Sequence, residues 1–350
     1  MCILLFIVCI AATYGTYYAD ITGEYHWVAK MIDKYQSTAE RSGSKLISLS
    51  GFDSLPADLG TLYAVNELKN KVGDDIDITS CIGYVSVVIE PGTPMGLGAS
   101  GGTLSSMLTL IEQRSEYGNK LLDPYLLVPQ PQKAQLQSQN YNDRDQMLPT
   151  YSYDINSWTA PFVMAAANTR VVRRSAALYQ AAGYNYGNKF HYNENLAVSN
   201  FIYATGVTIG MGITVASLLI PPIRSLIKKY ITQPGAGPSA QQRAGTTIIY
   251  THVAQASNGD KLYTTFSTVD PGYANTATFL AHTGLLLLDQ KLSANQQTNG
   301  ITINKHKPCG INQCGFLTSS TALGYQLIDR LNSLNTGVLI QVSKYVKATH

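Results

Sequence analysis

From Leu55 onward the apolar positions Leu55, Leu59, Leu62, Val65 and Leu68 recur at three- and four-residue spacing, the pattern of a helix packed against a core. Just ahead of them Lys45 to Ser50 is a short apolar-rich run and Gly51 punctuates it, so the order predicted is strand, turn, helix. Asp53 or Ser54 can cap this helix. Pro56 suits its first turn, where a missing N–H costs nothing, and Asp58 sits where the helix dipole favours a negative charge. A helix start of this kind offers N–H groups to a phosphate, a carboxamide or a carboxylate, although on spacing alone it is an ordinary βα corner.

The same reading places a strand between Ile76 and Ile89, a helix from about Thr103 to Tyr117, and a polar surface loop from Gln130 to Thr150. Ser239 and Gln242 have capping-box spacing after the Pro/Gly stretch Pro234 to Pro238. Thr246 to Ala256 and Lys261 to Val269 form a hairpin through Asn258-Gly259, a dipeptide favoured where both turn residues need positive φ. A helix from Ala274 to Leu292, one from Leu317 to Leu334 and a strand from Val338 to Val342 complete the chain.

Two stretches are apolar without such alternation. Met1 to Ala12 has the look of a signal peptide but lacks a positive n-region, and it is shorter than the ~20 residues that span a bilayer. Phe201 to Ile220 does reach that length, inside the uncharged run Asn195 to Ile223, with Arg224, Lys228 and Lys229 immediately after it. Gly206 and Gly210 form a G-x-x-x-G pair that permits close helix contact, and with it a homodimer. Membrane association follows, as a spanning helix or, because Pro221 and Pro222 stop the helix abruptly, as an interfacial insertion; a buried core helix is the other reading.

Composition narrows the function. The 350 residues are 45% apolar and 13% charged, with a net charge of +3, so the chain can build one large or two medium cores and has no electrostatic footprint for nucleic acid. Five cysteines, Cys2, Cys9, Cys81, Cys309 and Cys314, show no C-x-x-C spacing, which fits reduced thiols facing the cytosol rather than a disulfide framework or a zinc site. No metal site is expected. Five of the histidines, His26, His191, His252, His282 and His306, are dispersed, and no Ser/His/Asp order, HExxH pair or Walker loop occurs. A literal G-x-G-x-x-G at Gly96, Gly98 and Gly101 is separated from the strand-like run Tyr84 to Ile89 by PGTPM, whose prolines prevent the tight strand-to-glycine turn of a dinucleotide site. Arg170, Arg173 and Arg174 could address an anionic substrate or a cofactor phosphate, or form a solvated helix face with structural salt bridges.

Seven blocks occur in the order of one family. They are GTYYADITGE (Gly15 to Glu24), GFDSLPADLG (Gly51 to Gly60), SGGTLSSML (Ser100 to Leu108), SWTAPFVMAAANTRVVRRSAAL (Ser157 to Leu178), PGAGPSAQQR (Pro234 to Arg243), VDPGYANTA (Val269 to Ala277) and LTSSTALGYQLIDRL (Leu317 to Leu331). Together they resemble the saccharopine dehydrogenase-like oxidoreductases, which include the trans-acting enoyl reductases of complex-lipid synthesis. The resemblance implies an α/β fold: an incomplete Rossmann-type domain, residues 1–70, followed by an α+β substrate domain, residues 71–350, with a mainly antiparallel sheet and one hydrophobic helix in a membrane-associating segment, 201–223. It places Met1 to Ala12 in a Rossmann helix rather than a leader, and the family's phosphate-binding βαβ unit upstream of Met1.

The resemblance further implies NAD or NADP as cofactor, with Phe52, Asp53, Ser54 and Pro56 contacting the nicotinamide and Ser100, Gly101, Thr103 and Arg173 facing a lipid-like substrate. Tyr17 and His282 depart from the family pattern. The function implied is that of an NAD(P)-dependent oxidoreductase of lipid or glycolipid metabolism on the cytosolic face of a lipid droplet or an organelle membrane, the mitochondrion among them. The alternative is a non-catalytic, membrane-anchored relative.

Overall fold

The computed structural model describes residues 2–94, 108–112, 114–138, 143–230, 237–295 and 307–348. The principal elements are α1 (Cys2–Thr13), β1 (Tyr18–Ala19), α2 (Tyr25–Ser42), β2 (Lys45–Ile47), α3 (Leu55–Val72), β3 (Ile78–Ile89), β4 (Thr150–Ser152), β5 (Ser157–Pro161), α4 (Ala165–Ala181), β6 (His191–Val198), α5 (Phe201–Leu219), α6 (Pro221–Tyr230), β7 (Thr246–Ala256), β8 (Lys261–Val269), α7 (Thr276–Asn295), β9 (Gly315–Leu317), α8 (Ser319–Leu323), α9 (Tyr325–Asn332) and β10 (Leu339–Val346).

The strands form two sheets. The smaller is parallel, in the order β1-β2-β9. Its strands are short, and β2 and β9 are buried on both faces: Leu46 and Phe316 face a core made with α1 and α2, while Ile47 and Leu317 face the larger core. The larger sheet runs β10-β8-β7-β3-β6-β5-β4 and is antiparallel except where β3 pairs with β6. Between the sheets lies α3, whose Leu55, Leu59, Leu62, Val65 and Leu68 are all fully buried. The helix is not amphipathic in place; Asp58, Thr61 and Asn66 are buried with the leucines, so its polar residues must find partners inside.

Several expectations are met closely. The strand, turn and helix at Lys45 to Val72, the Ser239/Gln242 capping box and the β7–β8 hairpin all form. Cys2–Thr13 is helical and packs Val8, Ala11 and Ala12 against α2.

Others are corrected. In the hairpin loop Gly259 takes the left-handed conformation (φ 89°) and Asn258 does not; its side chain instead accepts the Asp260 N–H at 3.0 Å. The polar segment Gln130 to Thr150 holds a helix, Gln132–Ser138, and a buried carboxylate, Asp143. The helix expected over Leu317 to Leu334 is broken at Gly324 (φ 51°), where an added Cβ would strike the Pro308 carbonyl oxygen, and its first residues are spent on β9. The parallel sheet is completed by β9, from the C-terminal part of the chain.

The hydrophobic helix α5 is not a core helix. Only Ala204 and Leu218 of it are buried, and Ile202, Ile209 and Ile213 are exposed. Its first turn is fixed to the larger sheet by Phe201, whose ring lies 4.8 Å from that of Trp158 on β5, and by Asn200, whose side chain accepts the Tyr203 N–H. Adding a Cβ at Gly206 or Gly210 would meet nothing within 4 Å.

Candidate functional site

The parallel strands deliver three turns to one edge: Asp20 to Gly23 after β1, Ser48 to Ser54 after β2, and Thr318 to Ser320 after β9. In open parallel sheets the carboxyl ends of the strands are where ligands are held. Backbone bonds lace the first two turns together, with Asp20 N–H donating to Ile47 O at 3.0 Å and Ser50 N–H to Asp20 O at 2.8 Å. Between them Leu49, buried and without any glycine's freedom, takes φ 60°. Such a residue costs roughly 1–3 kcal/mol and is maintained only where the surroundings demand it.

Asp20 organises this edge. Its carboxyl accepts Tyr18 Oη at 2.7 Å, Thr22 N–H at 2.9 Å and Ser48 Oγ at 3.1 Å. Burial raises its pKa, and these bonds pull the other way. Sequence reasoning passed over Asp20, although an acid directly after a buried strand was its signal.

The turn itself differs from the free helix end expected. Phe52 N–H donates to Thr276 Oγ1 at 3.1 Å, Leu55 N–H to Gly51 O at 3.1 Å and Asp58 N–H to Ser54 O at 3.0 Å. Pro56 brings no donor. The backbone donors at this end are therefore largely consumed. Ser54 stands at the cap position but makes no cap bond; its hydroxyl goes to Asn168 Oδ1 at 2.8 Å.

Side chains carry what remains. Ser50 Oγ is buried and has no hydrogen-bond partner among the described residues. Asp53 is pushed up to about 6 by burial, with nothing among the described residues to offset it. Phe52 meets the Tyr250 ring edge to face at 6.2 Å.

Behind the turn lies the face of the larger sheet. Asn168 Nδ2 donates to Glu194 Oε1 at 2.9 Å and Tyr192 Oη donates to Glu194 Oε2 at 3.2 Å. Glu194 is fully buried and is pushed up to about 8 by that burial, against the pull of its hydrogen bonds. Gly83 lies opposite Glu194 across β3–β6, and a Cβ there would come within 2.9 Å of Tyr192 Oη, so the glycine makes the room. Glu194 was also missed; its alternation with Tyr192 along β6 places both on the inward face.

The arginines do something not foreseen. Arg170, Arg173 and Arg174 are all buried, so they are no solvated face. Arg173 donates to Pro124 O at 3.1 Å and Tyr192 O at 2.9 Å; Arg174 donates to Leu127 O at 2.6 Å and Phe316 O at 2.7 Å; Arg170 pairs with Asp145. Their bonded donors go to the protein's own carbonyls and carboxylate, while each Nε is buried without a hydrogen-bond partner among the described residues. Burial lowers the pKa of Arg173 and brings that of Arg174 down to about 10.

Ser100, Gly101 and Thr103, with Gly96 and Gly98, lie outside the described residues. Tyr17 sits at the opposite edge of the parallel sheet, its ring 4.7 Å from Lys291 Nζ, and His282 Nδ1 accepts Arg330 Nε at 3.3 Å. No group of three or more His, Cys, Asp or Glu side chains suited to a metal occurs among the described residues.

A nicotinamide presents a flat ring and a carboxamide that both donates and accepts. The orphaned Ser50 hydroxyl, the Asp53 carboxyl and the Phe52 ring at this edge fit that end of the cofactor. Among the described residues there is no G-x-G-x-x-G turn between a strand and a helix for the pyrophosphate.

No family model matches the chain. It is 30% identical to a Mycobacterium tuberculosis protein provisionally named a trans-acting enoyl reductase, over 97% of this chain and 76% of that one. It is 28% identical to the trans-acting enoyl reductase of Mycobacterium ulcerans, over 97% of this chain and 77% of the relative. Among solved structures, apo saccharopine dehydrogenase (L-Glu forming) from Saccharomyces cerevisiae aligns with 98% of this chain and 82% of its own at a TM-score of 0.44 and 10% identity. With the sequence likeness extending across nearly the whole chain, the protein belongs to the trans-acting enoyl reductase family.

Proposed function

We propose that this chain is an NAD(P)-dependent oxidoreductase that reduces the carbon–carbon double bond of an enoyl, lipid-like substrate at a membrane or lipid-droplet surface. The observation that carries the reading is the placement of the Gly51 to Ser54 turn at the carboxyl ends of three parallel strands, facing the larger sheet. The relatives named trans-acting enoyl reductases supply the substrate class. When bound, the reduced nicotinamide supplies the hydride. This chain's part is to orient and desolvate: Ser50 and Asp53 address the carboxamide, Phe52 and Pro56 wall the ring, and Ser100, Gly101 and Thr103 are the residues proposed to face the acyl chain. The exposed helix α5 and the basic helix α6 that follows it support attachment to a lipid surface, where such a substrate is concentrated.

Equilibrium titration of the purified chain with NADH and NADPH, followed by nicotinamide fluorescence, tests the cofactor. A turnover assay with a medium-chain trans-2-enoyl thioester tests the reaction. Binding with loss of reduced nicotinamide on adding the thioester is expected. Absence of binding to either nucleotide, with the chain still floating on lipid vesicles, would leave the non-catalytic membrane module in its place.

A further inference from the structure

Glu194 is the acid buried deepest behind the Gly51 to Ser54 turn, and it is joined to that turn by an unbroken chain of bonds. Ser54 Oγ donates to Asn168 Oδ1 at 2.8 Å, and Asn168 Nδ2 donates to Glu194 Oε1 at 2.9 Å. With the serine donating, the amide accepts with its oxygen and gives to the carboxyl with its nitrogen. No Lys, Arg or His is bonded to Glu194 among the described residues. A fully buried carboxylate without a cation is strongly disfavoured, whereas a neutral carboxylic acid is not.

The neutral acid also suits Tyr250, whose phenol is buried beside the Glu194 carboxyl and interacts with it. An O–H on the Glu194 carboxyl has this phenol oxygen within reach as an acceptor. Tyr250 in turn meets Phe52 edge to face and stacks on His252 at 5.8 Å, so the chain returns to the turn from its other side.

We propose that Glu194 is a positioning residue for the reduction: held neutral, it fixes Asn168, and through Asn168 the Ser54 hydroxyl, so that the Gly51 to Ser54 turn keeps the shape that receives the nicotinamide. This rests on the function proposed above. The ionisable groups facing Glu194 are Tyr192 on its own strand, Tyr250 on β7, and, at longer range, Asp145 in its pair with Arg170. His252 stands one strand beyond Gly83 in the same cross-strand row. It is held neutral by burial, its pKa brought down to about 3. None of the four groups supplies a cation to Glu194. With the carboxyl at about 8, ionisation at higher pH would set a buried charge against Asn168 and withdraw the proton offered to Tyr250.

The experiment measures NADPH affinity from pH 6 to pH 9 in the wild-type chain and in E194Q, together with difference infrared spectra of both without nucleotide. Gln keeps the acceptor for Asn168 and a donor for Tyr250 but cannot ionise. Wild-type affinity is expected to fall through pH 8, so that E194Q binds about tenfold more tightly than wild type at pH 9. E194A is expected to bind at least tenfold more weakly at neutral pH. A carboxylic-acid C=O band present at pH 7 in wild type and missing in E194Q would identify the neutral acid.

Parallel affinity profiles for wild type and E194Q, or absence of that band, would overturn the inference while leaving the cofactor reading intact. Failure of the wild type to bind nucleotide at any pH would remove the cofactor reading and this role with it. The spectra depend on neither cofactor nor turnover, and they hold even where E194A fails to fold.

Discussion

The carboxyl of Asp58 accepts the Ser320 N–H at 2.8 Å and the Ser320 hydroxyl at 2.7 Å, tying the first turn of α3 to the corner between β9 and α8. Ser175 on α4 donates to the same carboxyl at 2.5 Å and shares a hydrogen with Thr318 at 2.7 Å. The residue read from sequence as a complement to the helix dipole is thus the point where three distant segments meet. Burial raises its pKa and these bonds oppose the rise.

Removing one donor should cost far less than removing the acceptor. Ser320→Ala loses one hydroxyl bond and keeps the N–H partnered, a loss of about 1 kcal/mol. Asp58→Ala leaves the Ser320 N–H and two hydroxyls buried without their acceptor, a loss of roughly 3–5 kcal/mol. Urea midpoints at constant m-value measure both. Equal and small effects would show that Asp58 is not the tie.

Gly60 should tolerate no side chain. A Cβ there would lie 2.2 Å from His252 Cε1, and the ring cannot retreat because it is fully buried and stacked on Tyr250. Gly60→Ala would ordinarily help a helix by up to about 1 kcal/mol; here overpacking should reverse the sign and destabilise by about 1–3 kcal/mol. Pairing it with His252→Ala relieves the clash. The double mutant should therefore be less destabilised than the sum of the two single changes, and additivity would refute the contact.

Asp53 makes the protein less stable as pH rises. Its folded pKa of about 6 stands above the ordinary 3.8, so below about pH 4 both states are neutral and it costs nothing. Between about pH 4 and pH 6 the unfolded chain ionises while the folded one resists, and stability falls by at most about 3 kcal/mol, after which the loss is constant. Asp53→Asn should raise the melting temperature at pH 8, leave it unmoved at pH 3.5, and weaken nicotinamide binding. A variant less stable than wild type at pH 8 would contradict the buried, uncompensated carboxyl.

What could be read from the chain follows the range of the interactions involved. Leu55 to Leu68, the Ser239/Gln242 capping box and the Asn258-Gly259 hairpin are written within a few residues each, and all three form. Glu194, Asn168 and Ser54 are separated by 26 and 114 positions, and only the folded sheets bring them together. The arginines of α4 misled for the same reason. Their carbonyl acceptors lie up to 142 residues away, so sequence offered solvent, a ligand or an ion pair as partners and no backbone carbonyl. The β9 strand is too short for periodicity to announce it, and its pairing with β2 spans most of the chain.

The exposed helix α5 separates the core reading of Phe201 to Leu219 from the lipid reading. Ile209 and Ile213 are 56% and 61% exposed, one turn apart on the same face. Were the helix packed in a core, Ile209→Asp with Ile213→Asp would bury two charges and unfold the chain. On an exposed face the pair should change the stability of the folded protein by less than about 1 kcal/mol. Against a bilayer the same charges are costly, at roughly 2.5–3.5 kcal/mol each at the helix centre. Wild type should therefore float with phosphatidylcholine vesicles while the double mutant remains folded in the dense fraction. Equal flotation of the two chains would remove the helix from the membrane attachment, and loss of folded protein would return it to the core.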